Sequence, residues 1–244
     1  MKRDADAALD DHPVAMSSLI QPVPRISLLR GWRSLFAGTP RGKLTQCLCD
    51  YARSRRWFAG KARTIKTALI RDIVPLSMRP GRTFLCLVEM RYARNVSEVY
   101  QVPVALAVDD EMERVVRELP GFVIAQIDFH HGRAKGVLYD AVQSPDFARG
   151  VLNLIARQRS LSGEKGVLRG TSNAGFHHRA AARSRIAPRL LSAEQSNSSI
   201  VLSDRLILKL FRRLRPGANP EVEIARFLAA RNFPHVPPFM GTVQ

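Results

Sequence analysis

A lysine and two glutamates near the carboxyl end of this 244-residue chain have the types and spacing that phosphate chemistry uses. Lys209 lies within the apolar run Leu206-Ile-Leu-Lys-Leu-Phe, and Glu221 and Glu223 follow it. An ammonium group among apolar neighbours needs a partner. Kinases supply one by placing a strand lysine beside the ATP phosphates and a helix glutamate. We therefore expect Lys209 to bind ATP phosphates and to pair with Glu223, or in second place with Glu221.

The polar turn before this lysine is a second candidate for phosphate binding. Its residues Ser196, Asn197, Ser198 and Ser199 are small enough to let backbone N–H groups approach a phosphate. The turn lacks the glycines of the usual kinase loop, and serine and asparagine are also ordinary turn residues. A plain hairpin turn is therefore the alternative. The lysine and the glutamates also have purely structural interpretations. Lys209 could be an edge-strand lysine whose ammonium group reaches water, and the two glutamates could stabilise a helix dipole.

Strands and a capped helix must position these groups. The apolar segments Arg189–Leu191 and Ser199–Leu202 predict strands on either side of the polar turn, and Lys209 lies in a third. Asn219 followed by Pro220 predicts the start of a helix, because asparagine caps the amino end and proline suits the first helical position. We expect these elements to form one unit over residues 188–244.

The preceding residues predict an α+β domain with an antiparallel sheet over residues 41–160. Leucines at helical spacing predict a helix over residues 42–58, and Ser144-Pro-Asp predicts the start of another. A short helix is expected over Asp109–Leu119. Segments rich in β-branched and aromatic residues predict five strands: Ile65–Leu76, Thr83–Tyr92, Glu98–Val108, Phe122–Phe129 and Lys135–Tyr139.

Two segments show neither the pattern of a helix nor that of a strand. Residues 1–40 are weakly patterned and hold Pro13, Pro22, Pro24 and Pro40, which interrupt a helix. We expect them to be a poorly ordered leader. Residues 161–187 are rich in loop-forming residues, and we expect them to be a linker between the α+β domain and the unit that carries Lys209.

The composition excludes several classes of protein. Hydrophobic residues make up 45% of the chain and charged residues 24%, both ordinary for a soluble globular protein. No apolar run reaches the ~20 residues that span a membrane, and the amino end lacks a secretory signal. The three cysteines are an odd, sparse set that fits a reducing compartment better than a disulfide framework. We therefore expect a cytoplasmic protein with no membrane partner.

The net charge of +17 raises nucleic acid as a possible partner. However, 31 of the 38 basic residues are arginines scattered along the chain from Arg3 to Arg231, whereas a DNA-binding surface concentrates its charge. The densest patch, His177–Arg189, has the composition of a loop, without the interleaved aromatic residues of RNA-binding modules. We therefore attribute the high net charge to a compositional bias toward arginine. A basic nucleic-acid-binding protein remains the last alternative for the function.

Several runs of residues resemble maltokinases, including the maltokinase part of trehalose synthase–maltokinase fusions. In the second unit these runs are Ser192–Ser199, Leu206–Leu214, Gly217–Ile224 and Phe233–Pro238. In the first domain they are Arg56–Arg63, Val137–Ala141 and Pro145–Phe147. The resemblance covers roughly residues 42–244 in collinear order, and the run from Glu194 to Pro238 is highly specific.

The resemblance implies an aminoglycoside-phosphotransferase-like kinase. Such an enzyme transfers the γ-phosphate of ATP to the anomeric hydroxyl of maltose, giving maltose 1-phosphate for α-glucan synthesis. Residues 41–160 would then be the N-terminal cap domain, and residues 188–244 an incomplete kinase-like N-lobe. The resemblance also implies that Lys209 holds ATP phosphates, that Glu223 orients Lys209, and that a phosphate-facing loop is formed by Ser196, Asn197, Ser198 and Ser199.

The chain departs from the family where catalysis takes place. Phosphoryl transfer needs a carboxylate at the acceptor hydroxyl and ligands for Mg²⁺, but the only acids after Asp204 are Glu221 and Glu223. We therefore expect an N-terminal fragment without catalytic residues or turnover of its own, whose Mg²⁺ ligands and maltose site lie in a missing second lobe. The alternative is a non-catalytic module that docks on a separate kinase lobe or on a trehalose synthase.

Overall fold

A curled seven-stranded sheet lies at the centre of the structure. The computed structural model describes residues 23–76, 83–129, 134–173, 176, 187–191, 196–203 and 205–244. Its strands are β1 Arg25–Leu28, β2 Ile65–Pro75, β3 Thr83–Tyr92, β4 Ser97–Val108, β5 Val123–Phe129, β6 Ala134–Asp140, β7 Ser160–Ser162, β8 Val167–Ser172, β9 Pro188–Leu190, β10 Ser198–Leu202, β11 Leu206–Leu210, β12 Arg213–Leu214 and β13 Gly241–Val243. Six strands of the large sheet follow the order β1-β5-β6-β4-β3-β2, and β12 joins it beside β4. Within this sheet β1 pairs with β5 in parallel, and the other pairs are antiparallel.

Both faces of the large sheet are covered, because side chains alternate between the faces along each strand. The helices are α1 Gly38–Ser54, α2 Asp109–Glu118, α3 Pro145–Ala156 and α4 Pro220–Ala230. Tyr100, Val102 and Val104 of β4 belong to a buried cluster that includes α1. Ala105 and Ala107 of the same strand belong to a second cluster, which includes α2 and α3. The strands and helices predicted for residues 41–160 are thus found, with ends shifted by a few residues, in an α+β architecture.

The part of the predicted leader that the structure describes packs into the core. Ile26 and Leu28 of β1 and Leu35 of a short 3-10 helix are at most 2% exposed. Helix α1 begins at Gly38 rather than residue 42, because Pro40 falls in the first turn, where its missing N–H is not needed. The expectation of a poorly ordered leader is therefore wrong for residues 25–36. Residues 1–22 lie outside the described part.

The first part of the predicted linker also forms regular structure. Strands β7 and β8 make a hairpin, and β13 pairs with β8 to give a small antiparallel sheet of order β13-β8-β7. Residues 160–172 therefore belong to the fold rather than to a loop. The remainder of the predicted linker, apart from residues 173, 176 and 187, lies outside the described residues.

A buried carboxylate holds this hairpin against the edge of the large sheet. Asp72 of β2 is 5% exposed, and its Oδ1 accepts hydrogen bonds from the backbone N–H groups of Ile73, Glu164 and Lys165 at 2.6–3.2 Å. Arg41 of α1 donates to both carboxylate oxygens of Glu164 at 2.7 Å. Because a two-pronged arginine–carboxylate pair fixes orientation as well as distance, the hairpin is tied to both β2 and α1.

The second unit shares its core with the first domain. Strands β9, β10 and β11 form an antiparallel sheet of order β11-β10-β9. Ile200, Leu202 and Leu210 of this sheet lie in the same buried cluster as α3. Helix α4 follows with no buried residue of its own. None of the helices in the described ranges is long and apolar enough to cross a membrane.

The three cysteines are buried free thiols, Cys47 and Cys49 in α1 and Cys86 in β3. Burial, followed by the nearby negative charge of Asp50, raises the pKa of Cys47 to about 11. Burial raises the pKa of Cys86 to about 12. Since a thiol reacts through its thiolate, these cysteines are core side chains rather than nucleophiles at neutral pH.

Candidate functional site

A large cleft opens between α4 and the sheets that precede it. It has a volume of about 1820 Å³, a mostly apolar lining, and both Lys209 and Glu221 at its wall. The charged residues of the lining are five basic and three acidic: Arg205, Lys209, Arg213, Arg215 and Arg226, against Asp72, Glu221 and Glu223. A concave site with an excess of positive charge raises the local concentration of anionic ligands.

Lys209 reaches across this cleft from β11 to the first turn of α4. Its Nζ lies 2.7 Å from Oε2 of Glu221, with the two side chains 35% and 54% exposed. Asn219 begins the helix as predicted, since its Oδ1 accepts from the backbone N–H of Glu221 at 2.9 Å. The strand lysine and the helix acid therefore meet in a partly solvated ion pair.

The ion pair involves Glu221, whereas the sequence favoured Glu223. Glu223 lies in the same first turn, is exposed and also lines the cleft. The physical reason is the helical repeat: residues two apart on an α-helix point about 200° apart, so both glutamates cannot aim at one strand residue. The distance of 2.7 Å selects Glu221, which the sequence placed second.

The predicted phosphate-facing residues divide into two pairs. Ser196 and Asn197 precede β10 and line the cleft. Ser198 and Ser199 are not in a loop but in β10 itself, where they are 5% and 3% exposed and lie opposite Leu210 and Lys209. Their serine hydroxyls are smaller than the apolar side chains around them, and that of Ser198 accepts a hydrogen bond inside the core. Of the four predicted residues, Ser196 and Asn197 therefore line the cleft and Ser198 and Ser199 do not.

The acidic, histidine and cysteine side chains of the described residues are dispersed. Within them, no group of three or more histidine, cysteine, aspartate or glutamate side chains comes together to hold an ion.

Sequence reasoning missed the residues that join the second unit to the large sheet. Arg212 follows β11, and its Nη2 lies 2.8 Å from Oδ2 of Asp140 at the end of β6, with both side chains at most 1% exposed. Beside it, β12 pairs with β4 on the edge that β6 leaves open. An arginine directly after an apolar strand was the available signal, but nothing in the sequence identified its distant partner.

Glu98 forms a second, more open cluster along the same junction. Its carboxylate accepts hydrogen bonds from the hydroxyls of Tyr100 at 2.7 Å and Tyr92 at 3.0 Å. It also pairs with Arg213 at 2.8 Å and with Arg63 at 3.2 Å. Burial alone would raise the pKa of Glu98, but the two hydroxyls and the two guanidinium groups outweigh it and lower that pKa below its ordinary value.

Replacing Glu98 by glutamine should make the chain less stable at neutral pH and less sensitive to acid. Because the folded pKa lies below the unfolded one, the contribution is fully present above the ordinary glutamate pKa of about 4.3 and is lost as pH falls through the folded value. We expect Glu98→Gln to lower the free energy of unfolding by about 2 kcal/mol at pH 7. Urea unfolding at pH 7 and pH 3 measures both effects. Equal losses at the two pH values would refute this pH dependence, and the exposed Glu113→Gln provides the control.

The first domain is similar to a known protein family. Residues 51–143 match the family model of the maltokinase N-terminal cap domain. The matched range begins in the last turn of α1, contains β2 to β6 with α2, and ends three residues beyond Asp140. It therefore includes most of the large sheet and the cap-side residues of both charged clusters at the junction. Over residues 51–143 the chain is therefore similar to the maltokinase N-terminal cap domain.

Proposed function

We propose that this chain binds ATP in the cleft beside its cap domain, as the nucleotide-binding part of a maltokinase. The activity of the whole enzyme would be ATP-dependent phosphorylation of maltose to maltose 1-phosphate, in α-glucan metabolism linked to trehalose and glycogen. The observation that carries the proposal is the ion pair of Lys209 with Glu221, 2.7 Å long, at the wall of a cleft in a chain with a maltokinase cap domain.

The residues of the cleft suit the phosphates of a nucleotide. A kinase-type site uses a strand lysine, held by a helix glutamate, to neutralise phosphate charge. Lys209 has the strand position and the partner, and its side chain is 35% exposed toward the cleft. Ser196 and Asn197 line the same cleft at the start of β10. The surplus of basic over acidic lining residues favours a polyphosphate further.

The chemical step needs groups beyond this set. Phosphoryl transfer uses a carboxylate that accepts the proton of the acceptor hydroxyl, and Mg²⁺ bound to ATP. The carboxylates at the cleft wall are Asp72, Glu221 and Glu223. Asp72 already accepts three backbone hydrogen bonds, and Glu221 pairs with Lys209. We therefore propose that a second lobe supplies the base, the Mg²⁺ ligands and the maltose site, and that these 244 residues alone give no turnover.

Titration of the purified chain with Mg·ATP tests the proposal. We expect heat of binding in the wild type, and at least roughly tenfold weaker affinity in Lys209→Met, a loss of about 1.4 kcal/mol or more. Lys66→Met is the matched control, because Lys66 is also a strand lysine but is exposed on β2 outside the cleft. Equal affinities for wild type and Lys209→Met would contradict ATP binding at this site. Formation of maltose 1-phosphate by the isolated chain would contradict the absence of turnover.

A second candidate function is a non-catalytic module that docks on a separate kinase lobe or a trehalose synthase. The observation in its favour is the exposure of Ile224 and Phe227 on α4, at 59% and 54%. Large apolar side chains side by side on one helix are typical of a surface that another protein covers. A binding experiment with a purified trehalose synthase and the Phe227→Ser variant separates this function from ATP binding, since Phe227 does not line the cleft.

A further inference from the structure

The guanidinium of Arg212 is a deeply buried charge that the proposed site does not use. Its side chain is 1% exposed, although it comes from the segment that links β11 to β12. A buried arginine needs a counter-charge and hydrogen-bond acceptors close to it. Arg212 finds its partners in two different parts of the molecule.

On one side, Arg212 is held by the cap domain. Its Nη2 lies 2.8 Å from Oδ2 of Asp140, and the same oxygen accepts a hydrogen bond from the hydroxyl of Tyr51 at 3.0 Å. The guanidinium carbon lies 4.8 Å from the ring centroid of Trp57, which adds a cation–π contact. Asp140, which Tyr51 orients, and Trp57 thus hold the guanidinium on the cap side.

On the other side, Arg212 is held by the hairpin that carries Lys209. Its Nε donates to Oγ of Ser198 at 2.8 Å. Ser198 and Ser199 are the residues of β10 that lie opposite Leu210 and Lys209 of β11. The contact therefore lies one residue pair away from the lysine of the proposed phosphate site.

The backbone around Arg212 reinforces this arrangement. Gln101 of the cap donates its backbone N–H to the carbonyl of Arg212 at 2.8 Å, and its Nε2 to the carbonyl of Phe211 at 2.7 Å. Two consecutive residues between Lys209 and β12, Phe211 and Arg212, are therefore hydrogen-bonded to the cap. A shift of the cap relative to β10 and β11 would have to break the contacts of Arg212 first.

We propose that Arg212 is a positioning residue through which the cap domain sets the alignment of β10 and β11, and with it the affinity for ATP. The ATP part of this inference rests on the proposed function. Linkage requires that a cap docking that favours ATP is itself favoured by ATP to the same extent. The cap then acts on nucleotide binding through the contacts of Arg212.

Two mild variants test the inference, because each keeps Asp140 paired. Ser198→Ala removes the hydroxyl at the hairpin, and Arg212→Lys keeps the charge but cannot hold Asp140 and Ser198 in one plane. Ser198→Thr restores the hydroxyl and suits a strand. The controls are Ser144→Ala and Arg41→Gln, a buried serine and an ion-paired arginine that do not line the cleft. Hydrogen exchange and Mg·ATP titration are measured for each variant.

If the wild type binds ATP, we expect Ser198→Ala and Arg212→Lys to weaken the affinity for ATP by about fivefold or more. The affinity of Ser198→Thr should be close to that of the wild type, and the affinities of both controls should be unchanged. Unchanged ATP affinity in the first two variants would overturn the inference. Where the wild type does not bind ATP, the proposed function fails, and hydrogen exchange alone decides the positioning role. Amides of 200–202 and 206–210 that exchange about tenfold faster than in the controls support it, and equal exchange rates overturn it.

Discussion

Replacing Asp140 by asparagine is expected to lower the free energy of unfolding by about 3–5 kcal/mol, the usual cost of removing one partner of a buried ion pair. Asparagine has nearly the same shape, so little packing is lost, although its one amide oxygen can accept from either the Tyr51 hydroxyl or the backbone N–H of Val142 but not from both. The guanidinium of Arg212, however, stays 1% exposed and loses its counter-charge 2.8 Å away. The loss is therefore electrostatic, and urea unfolding of the Asp140→Asn variant measures it.

Two further variants identify the cause of that loss. The double replacement Asp140→Leu with Arg212→Met removes both charges, and we expect it to recover most of the stability, since buried ion pairs exchange for apolar groups at little cost. Asp146→Asn is the surface control. Its partner Arg149 is 52% exposed, and an exposed pair contributes at most about 1 kcal/mol. A loss below about 1 kcal/mol for Asp140→Asn would show that the pair does not stabilise the junction.

Replacing Gly170 by alanine is expected to push the small sheet away from α3 and to lower the free energy of unfolding by about 3 kcal/mol. Gly170 lies in β8, where the strand passes directly over the carboxyl end of α3. A β-carbon there would lie 2.5 Å from the carbonyl carbon of Leu154 and 2.8 Å from the amide nitrogen of Ile155, and closer still to the carbonyl oxygen of Leu154. These are backbone atoms, so no side chain can turn away to make room.

Gly42→Ala is the matched control for this substitution. Gly42 lies inside α1, and a β-carbon there would meet no atom within 4 Å. Alanine in a helix interior is favoured over glycine by about 1 kcal/mol, so this variant should gain stability. Thermal unfolding followed by circular dichroism compares both variants with the wild type. A melting temperature for Gly170→Ala equal to that of the wild type would mean that α3 and β8 are not packed this closely in solution.

The cap sheet was predictable because its signals are local. Strands such as Thr83–Tyr92 combine β-branched and aromatic residues between turn residues, and Ser144 and Asn219 are followed by prolines that start helices. Strand β1 gave no comparable signal. It has four residues between prolines and breakers, and it is defined by its pairing with β5, about a hundred residues later.

The candidate site was predictable in kind but not in detail. The type of residue at Lys209 and the acids of α4 suggested their pairing, but the choice between Glu221 and Glu223 depends on how the helix is rotated against the strand. Ser198 and Ser199 were interpreted as loop residues because their side chains are polar. Ser198 is buried against Arg212, which is in turn buried against Asp140, and no local pattern in the sequence encodes that chain of contacts.

The pairing of β12 with β4 makes the boundary between the two units a continuation of one sheet. Transplanting the cap onto another phosphotransferase would therefore fail if only the matched residues were moved. The transplanted domain would present the open backbone edge of β4 at Val99 and Tyr100, and Asp140 would face the new host without a cation. A chimera that also carries residues 211–214 would supply both the strand that pairs with β4 and the arginine that pairs with Asp140. For protein engineering, the unit of exchange is the cap together with this short stretch of the second unit.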